Sequence, residues 1–345
     1  MKQHALGPEQ AAAIREGFVL AQDVRDGGRV ILGKGRVISA TDVATLRSLA
    51  PRELHLLELE DGDLHEDPAG RRLAQAAAGS GVEIGAFASG AWPLLARHKG
   101  VFEVATAQLA RVNAIDDLVV YAQPHRQIVL EGELLARAKI VPFVTAERNV
   151  AEAERVAAET AGLVSVRPFA PLRVHALIQE VLKDEQLARF RRAFEQKLAF
   201  FGSSLAGVTV LPAAAEELAL ALVDAVDRGA ELVAVAGSKP MDPLDPSLRA
   251  LALAGARVEA RGVPAHPGTL LWLAWLRGVP ILGMPSCGLF SKATVLDLLL
   301  PRLLAGEKLT RKDLAEYGAG GLLTADMSYR FPSYSKTRNR GELDE

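Results

Sequence analysis

Two stretches decide the fold: Glu231-Leu-Val-Ala-Val-Ala-Gly-Ser-Lys-Pro-Met-Asp-Pro-Leu-Asp-Pro246 and Val279-Pro-Ile-Leu-Gly-Met-Pro-Ser-Cys-Gly-Leu-Phe-Ser-Lys292. Each opens with a short apolar run of strand length and breaks into a loop of small and polar residues before a helical pattern resumes. In the first, the prolines stop the strand, while Asp245 and Pro246 suit the N-cap and first position of a helix. If both runs lie parallel in one sheet, both loops leave its carboxyl edge, where open α/β sheets place their ligands. Between them lies Gly262-Val-Pro-Ala-His-Pro-Gly268, a third loop, too rich in Pro and Gly for the interior of an element.

Upstream, the same alternation reads as a strand at Arg173–Ile178, a helix at Asp184–Phe201, a strand at Val208–Leu211 and a helix at Pro212–Arg228. The helix from Asp184 sets Leu187, Phe190, Phe194, Leu198 and Phe201 at three- and four-residue steps, an apolar stripe for packing on a sheet. Gly202, Gly229, Gly255 and Gly278 are read as left-handed helix ends. The expected C-terminal architecture is a three-layer α/β domain with a mostly parallel sheet. Before it, residues 17–38 alternate around Asp26-Gly27-Gly28 and Gly33-Lys34-Gly35 as short strands and tight turns. Further short strands and helices follow, so the N-terminal region is read as a mixed α+β domain. Pro168 and Pro171 mark the junction. The expected division is 1–170, 171–325 and a flexible tail at 326–345.

The chain has 345 residues, 49% hydrophobic and 24% charged, enough for two cores. A formal net charge of −2 argues against nucleic-acid binding. One cysteine, Cys287, excludes an intrachain disulfide framework and fits a reducing, cytoplasmic setting; neither a signal peptide nor a membrane span is read. His4, His55, His65, His98, His125, His175 and His266 show no short ligand spacing, so no metal site is expected from them. Gly28-x-x-x-x-Gly33-Lys34 approaches a phosphate-binding P-loop, but Gly35 stands where a Ser or Thr should bind the metal, and Arg-Val-Ile-Leu between the glycines reads as a strand.

The candidate chemistry is therefore in the C-terminal loops. Gly237-Ser238-Lys239 and Ser286-Cys287-Gly288 with Ser291-Lys292 each combine backbone N–H groups, hydroxyls and a cation ahead of a helix, the ingredients of a phosphate site. The competing reading is ordinary helix capping. Asp242 and Asp245 are the carboxylates of the first loop: one serves as a cap, leaving the other to meet a ligand or metal-bound oxyanion. His266 is a candidate contact in the third loop, and Cys287 is either a ligand contact or an inert small residue.

Taken in order, Val235-Ala-Gly-Ser238, the Asp-x-x-Asp at 242–245, Gly262-Val-Pro-Ala-His-Pro-Gly268, Leu282-Gly-Met-Pro-Ser286 and Gly318-Ala-Gly-Gly-Leu-Leu323 resemble the molybdopterin-binding domain of molybdenum cofactor biosynthesis proteins. The resemblance implies a pterin pocket containing Gly237, Ser238, Asp242, Asp245, Pro285 and Ser286, with Lys239, His266, Gly268, Cys287, Gly288, Ser291 and Lys292 around it. The implied reaction is molybdate insertion by a molybdopterin molybdotransferase-like transferase. There Lys239 or Lys292 would hold phosphate, and Asp242 or Asp245 would position molybdate or Mg2+. Where the family's insertases carry a lysine after Pro-Gly, this chain has His266-Pro267-Gly268-Thr269, and their Gly-Asp-Glu is replaced by Ile178-Gln179-Glu180. These departures keep a second reading in view, a non-catalytic carrier or regulatory module. A homo-oligomer, specifically a dimer, and a recipient molybdoenzyme are the partners implied.

Overall fold

The computed structural model describes residues 1–49, 53–180, 182–237, 242, 244–284, 294–332 and 334. The chain divides into two compact units, Met1–His98 with Phe102–Val166, and Lys99–Val101 with Arg167–Glu345.

In the first unit, Lys2–Leu6, Leu54–Glu58 and Val19–Leu20 form a small antiparallel sheet, and a second hairpin pairs Val24–Asp26 with Arg29–Leu32. Gly27 and Gly28, both at positive φ (52° and 85°), make the turn of that hairpin, so the P-loop-like spacing is a strand and its turn. A larger antiparallel sheet runs in the order Leu118–Ala122, Leu134–Ile140, Trp92–Ala96, Val82–Ile84. The helices Glu66–Ala77 and Glu147–Ala158 pack on each other, and the first of them packs on this sheet. Their inward residues, Leu73, Ala77, Val150 and Val156 among them, share a core with Leu94, Val120 and Ile140.

The second unit contains β1 (Arg173–Ile178), α1 (Asp184–Phe200), β2 (Ser204–Val210), α2 (Ala215–Asp227), β3 (Leu232–Ala236), α3 (Pro246–Leu253), β4 (Arg257–Arg261), β5 (Trp272–Leu276), β6 (Val279–Met284), α4 (Val295–Leu304) and α5 (Arg311–Ala315). Its six strands lie in the order β2-β1-β3-β6-β5-β4. The first four are parallel; β5 and β4 add antiparallel at one edge. The fold is thus α/β with a mostly parallel sheet. Along its strands alternate residues go to opposite faces: Leu177, Val233, Val235 and Ile281 share a core with Leu218 and Leu222 of α2 and Leu251 of α3. Val174, Ala176, Ile178, Ala234 and Leu282 are equally buried on the other face.

Gly278 is not a helix end. With Arg277 it forms the two-residue turn between β5 and β6, both at positive φ (51° and 86°), which matches the twist of a hairpin. Across that hairpin Trp272 pairs with Gly283, and the buried indole lies over the glycine so closely that a Cβ there would fall 1.8 Å from Trp272 Cε2. A glycine is needed at 283 because the indole occupies the space of its side chain.

Candidate functional site

Strands β1, β3 and β6 end at one level. Ile178 pairs with Ala236, and Ala236 with Met284, so the three strands end side by side, with Gln179 and Gly237 the first residues beyond β1 and β3. From β1 the chain passes through α1 to β2 on one side; from β3 it passes through α3 toward the opposite edge. The direction of winding therefore reverses between β1 and β3, which is where open α/β sheets form a crevice.

Gly237 borders that crevice. Its φ of 92° is in the left-handed region, and a Cβ would meet Glu180 Cγ at 2.8 Å and the Gln179 carbonyl carbon at 3.3 Å. The backbone N–H of Gln179 donates to Ala236 O at 2.9 Å, holding the two strand ends together. Asp245 is the N-cap of α3, buried, with Oδ1 accepting from Ser247 N at 2.9 Å, and Pro246 occupies the first position as its fixed φ suits. Asp242 is exposed and folds back on its own loop: Oδ1 accepts from Leu244 N at 2.9 Å, and its carbonyl from Asp245 N at 3.0 Å. Of the two carboxylates, Asp245 is therefore the cap and Asp242 the one presented to solvent.

A further group at this crevice comes from β1. Gln179 is 6% exposed, and its Oε1 accepts from Ser247 Oγ at 2.8 Å, which puts the amide at the first turn of α3. Its Nε2 is buried without a hydrogen-bond partner. In the sequence Gln179 stands out only as part of Ile178-Gln179-Glu180, where the resembled pattern is broken; the pairing of β1 with β3 brings it to the first loop.

The third loop is held separately. His266 N donates to Gly321 O at 2.7 Å and Leu323 N to His266 O at 2.9 Å, so 262–268 and 318–323 lie together. The His266–Pro267 peptide is cis and the His266 side chain is exposed. Gly268, at φ 117°, packs against Val295, the first residue of α4, where a Cβ would come within 2.8 Å of Val295 Cβ; Val295 N donates to Pro267 O at 3.0 Å. Gly268 thus lets this loop close onto the start of the helix that follows the second candidate loop. That helix start is fixed from beneath by Asp297, whose Oδ2 accepts from Thr294 N at 3.0 Å and whose Oδ1 accepts from Lys197 Nζ and from the Tyr334 hydroxyl, both at 2.6 Å. Burial, with the Asp297 charge adding to it, pushes the Tyr334 phenol far above its ordinary range. Tyr334 also packs on Phe200 and Phe201, so this one residue of the expected tail is anchored on the C-terminal unit.

Of the sequence candidates, Gly237, Asp242 and Asp245 gather at the crevice, while His266 and Gly268 sit with residues 318–323 and the start of α4. Ser238, Lys239, Pro285, Ser286, Cys287, Gly288, Ser291 and Lys292 lie outside the described residues. Among the described residues no group of three or more His, Cys, Asp or Glu side chains could hold a metal ion, and no helix is long and apolar enough to cross a membrane.

No protein-family model matches the chain, and no curated protein matches it. Solved structures similar to it include a molybdopterin biosynthesis MoeA protein from Pyrococcus horikosii, 13% identical, in which 73% of this chain covers 80% of that one at a TM-score of 0.30. A molybdenum cofactor biosynthesis protein from Pyrococcus furiosus is also 13% identical, with 89% of this chain covering 65% of that one at 0.26. MogA is 17% identical, with 39% of this chain covering 92% of that one at 0.25. At these identities and scores no residue role carries over from one chain to the other.

Proposed function

We propose that the chain binds molybdopterin at the carboxyl edge of its C-terminal sheet and serves molybdenum cofactor biosynthesis. The observation that supports this best is the reversal of winding between β1 and β3, where Gly237 and the N-terminus of α3 meet the end of β1 and β6 ends beside β3. Two other segments that carried the sequence resemblance, 262–268 and 318–323, are clasped together against the start of α4, the helix that follows the β6 loop. In this reading Ser238, Lys239, Ser286, Ser291 and Lys292 supply hydroxyls and cations for the ligand's phosphate, and exposed Asp242 is the carboxylate available to molybdate or magnesium. A homodimer and hand-over to a recipient molybdoenzyme belong to the same proposal.

The carrier alternative is favoured by one feature. Asp245 is buried and its carboxylate caps α3, leaving one loop carboxylate presented for metal chemistry. Anaerobic purification of the full chain, followed by oxidation and detection of pterin fluorescence, tests the proposal: co-purifying pterin is expected, and a folded chain that neither retains nor rebinds pterin overturns it. Asp242→Asn then separates enzyme from carrier. Loss of a molybdate-dependent step with pterin retention intact marks an insertase; pterin binding with no such step in the wild type marks a carrier.

A further inference from the structure

A primary amide held in a buried site carries two N–H donors and two acceptor lone pairs. At Gln179 one lone pair of Oε1 is taken by the Ser247 hydroxyl, and Nε2 has no partner. A buried donor left unpaired is a cost to the free protein, so it is a group that a ligand can satisfy with gain. Its position is set on three sides: the backbone N–H is tied to Ala236 O, the side-chain oxygen to the first turn of α3, and the Gln179–Glu180 segment lies so close on Gly237 that a Cβ there would clash with it.

The surrounding charge decides what such an amide accepts. Two carboxylates belong to the same corner: Asp245, buried, accepts from Ser247 N at 2.9 Å at the helix end that Gln179 touches, and Glu180 follows Gln179 in the chain. A dianionic phosphate is disfavoured among them, whereas a neutral acceptor is not. With a donor at Nε2 and one open lone pair at Oε1, the amide complements a carbonyl adjacent to a ring N–H, forming two parallel hydrogen bonds.

We propose that Gln179 reads the lactam edge of a heterocyclic ligand in the crevice between β1 and β3, donating from Nε2 to the ring carbonyl and accepting at Oε1 from the neighbouring ring N–H. The assignment rests on the pterin reading above and places the pterin ring, and not the phosphate, at this crevice. Gln179 is thereby a specificity residue.

The test titrates the full chain with hydroxymethylpterin, whose pyrimidine ring carries the carbonyl, and with its diamino analogue, in which an amine replaces it. Wild type is expected to prefer the pterin. Gln179→Met, nearly isosteric and without a donor, should lose roughly tenfold in pterin affinity, the equivalent of about 1.4 kcal/mol. Gln179→Glu, which presents only acceptors, should reverse the preference toward the diamino analogue. Circular dichroism reports whether each variant is folded; if neither is, equal wild-type affinity for the two ligands still overturns the assignment. An unchanged ligand ratio in folded variants overturns it too while leaving the pterin reading intact. Inorganic phosphate binding that weakens in Gln179→Met overturns it in favour of an oxyanion. Guanosine monophosphate bound in place of the pterin, with the same dependence on Gln179, supports the lactam contact and replaces the ligand. A wild type that binds neither pterin nor guanine overturns the functional reading and this inference together.

Discussion

Both units carry exposed ion pairs, but they differ in whether both members of a pair are taken into the core. In the N-terminal unit ion pairs lie on the outside of the helices: Arg72 reaches from Glu66–Ala77 to Glu147 and Glu154 of the neighbouring helix at 2.8–2.9 Å, with every side chain about a third to a half exposed. In the C-terminal unit a pair is taken inside: Lys197 of α1 meets Asp297 of α4 at 2.6 Å, with side-chain exposures of 7% and 0%. An exposed pair is solvated with or without its partner, so its geometry is worth little; a buried one has been stripped of water and must keep its partner. The C-terminal unit thus accepts a desolvation cost where it fixes the start of α4, the helix after the β6 loop. The buried carboxylate of the N-terminal unit, Asp42, is handled differently: its Oδ2 accepts from Ser39 N and Oγ and from Arg36, whose own side chain is half exposed, so only one member of the pair is taken from water.

The contrast is broken most directly at Asp297. Asp297→Ala takes the carboxylate away from the buried Lys197 ammonium and removes the acceptor for the N-cap backbone N–H of Thr294, so it should cost about 3–5 kcal/mol in denaturant unfolding. A loss near that of a surface pair would show that water reaches the site. Next comes Tyr334→Phe, which deletes a hydrogen bond to a charged group worth about 1.5–3 kcal/mol and should release the segment around 334 to proteolysis. The same residue has a pH signature. Its phenol is held neutral in the folded state while the unfolded phenol ionises near pH 10, so its contribution is complete below that value and is lost as pH rises above it. Tyr334→Phe should flatten that alkaline decline, and an unchanged slope would remove Tyr334 from the account. The smallest effect belongs to Arg72→Ala, about 0.2–1 kcal/mol and shrinking as salt is added, as expected of a partly exposed network. A salt-insensitive loss of several kcal/mol would erase the distinction between the units.

Much of the candidate site was legible because it is built from local rules. Asp245-Pro246 announces a helix start, and the structure uses Asp245 as its cap; the run Arg173–Ile178 is bounded by the elements it predicts. Other parts were not legible for equally physical reasons. Trp272–Leu276 is apolar at every position and five residues long, so periodicity cannot separate strand from helix, and Gly278 looks the same ending a helix or turning a hairpin. Trp92–Ala96 carries Pro93 in its interior, a residue that argues against a strand wherever the ladder needs an N–H.

By itself the sequence determined the α/β alternation of residues 173–253, the capped start of α3, the turn at Gly27-Gly28 and the loops most suited to a ligand. Each of these depends on residues within a few positions of one another, where backbone sterics and capping hydrogen bonds act. Tertiary structure alone decided the order β2-β1-β3-β6-β5-β4, the packing of Gly268 on Val295, the burial of Tyr334 against Asp297 and the arrival of Gln179 beside Gly237. Those contacts join residues between 27 and 58 positions apart: Val295 lies 295 − 268 = 27 beyond Gly268, Tyr334 lies 334 − 297 = 37 beyond Asp297, and Gly237 lies 237 − 179 = 58 beyond Gln179. They are selected by which apolar faces can be buried together, a global condition that no short stretch of chain encodes.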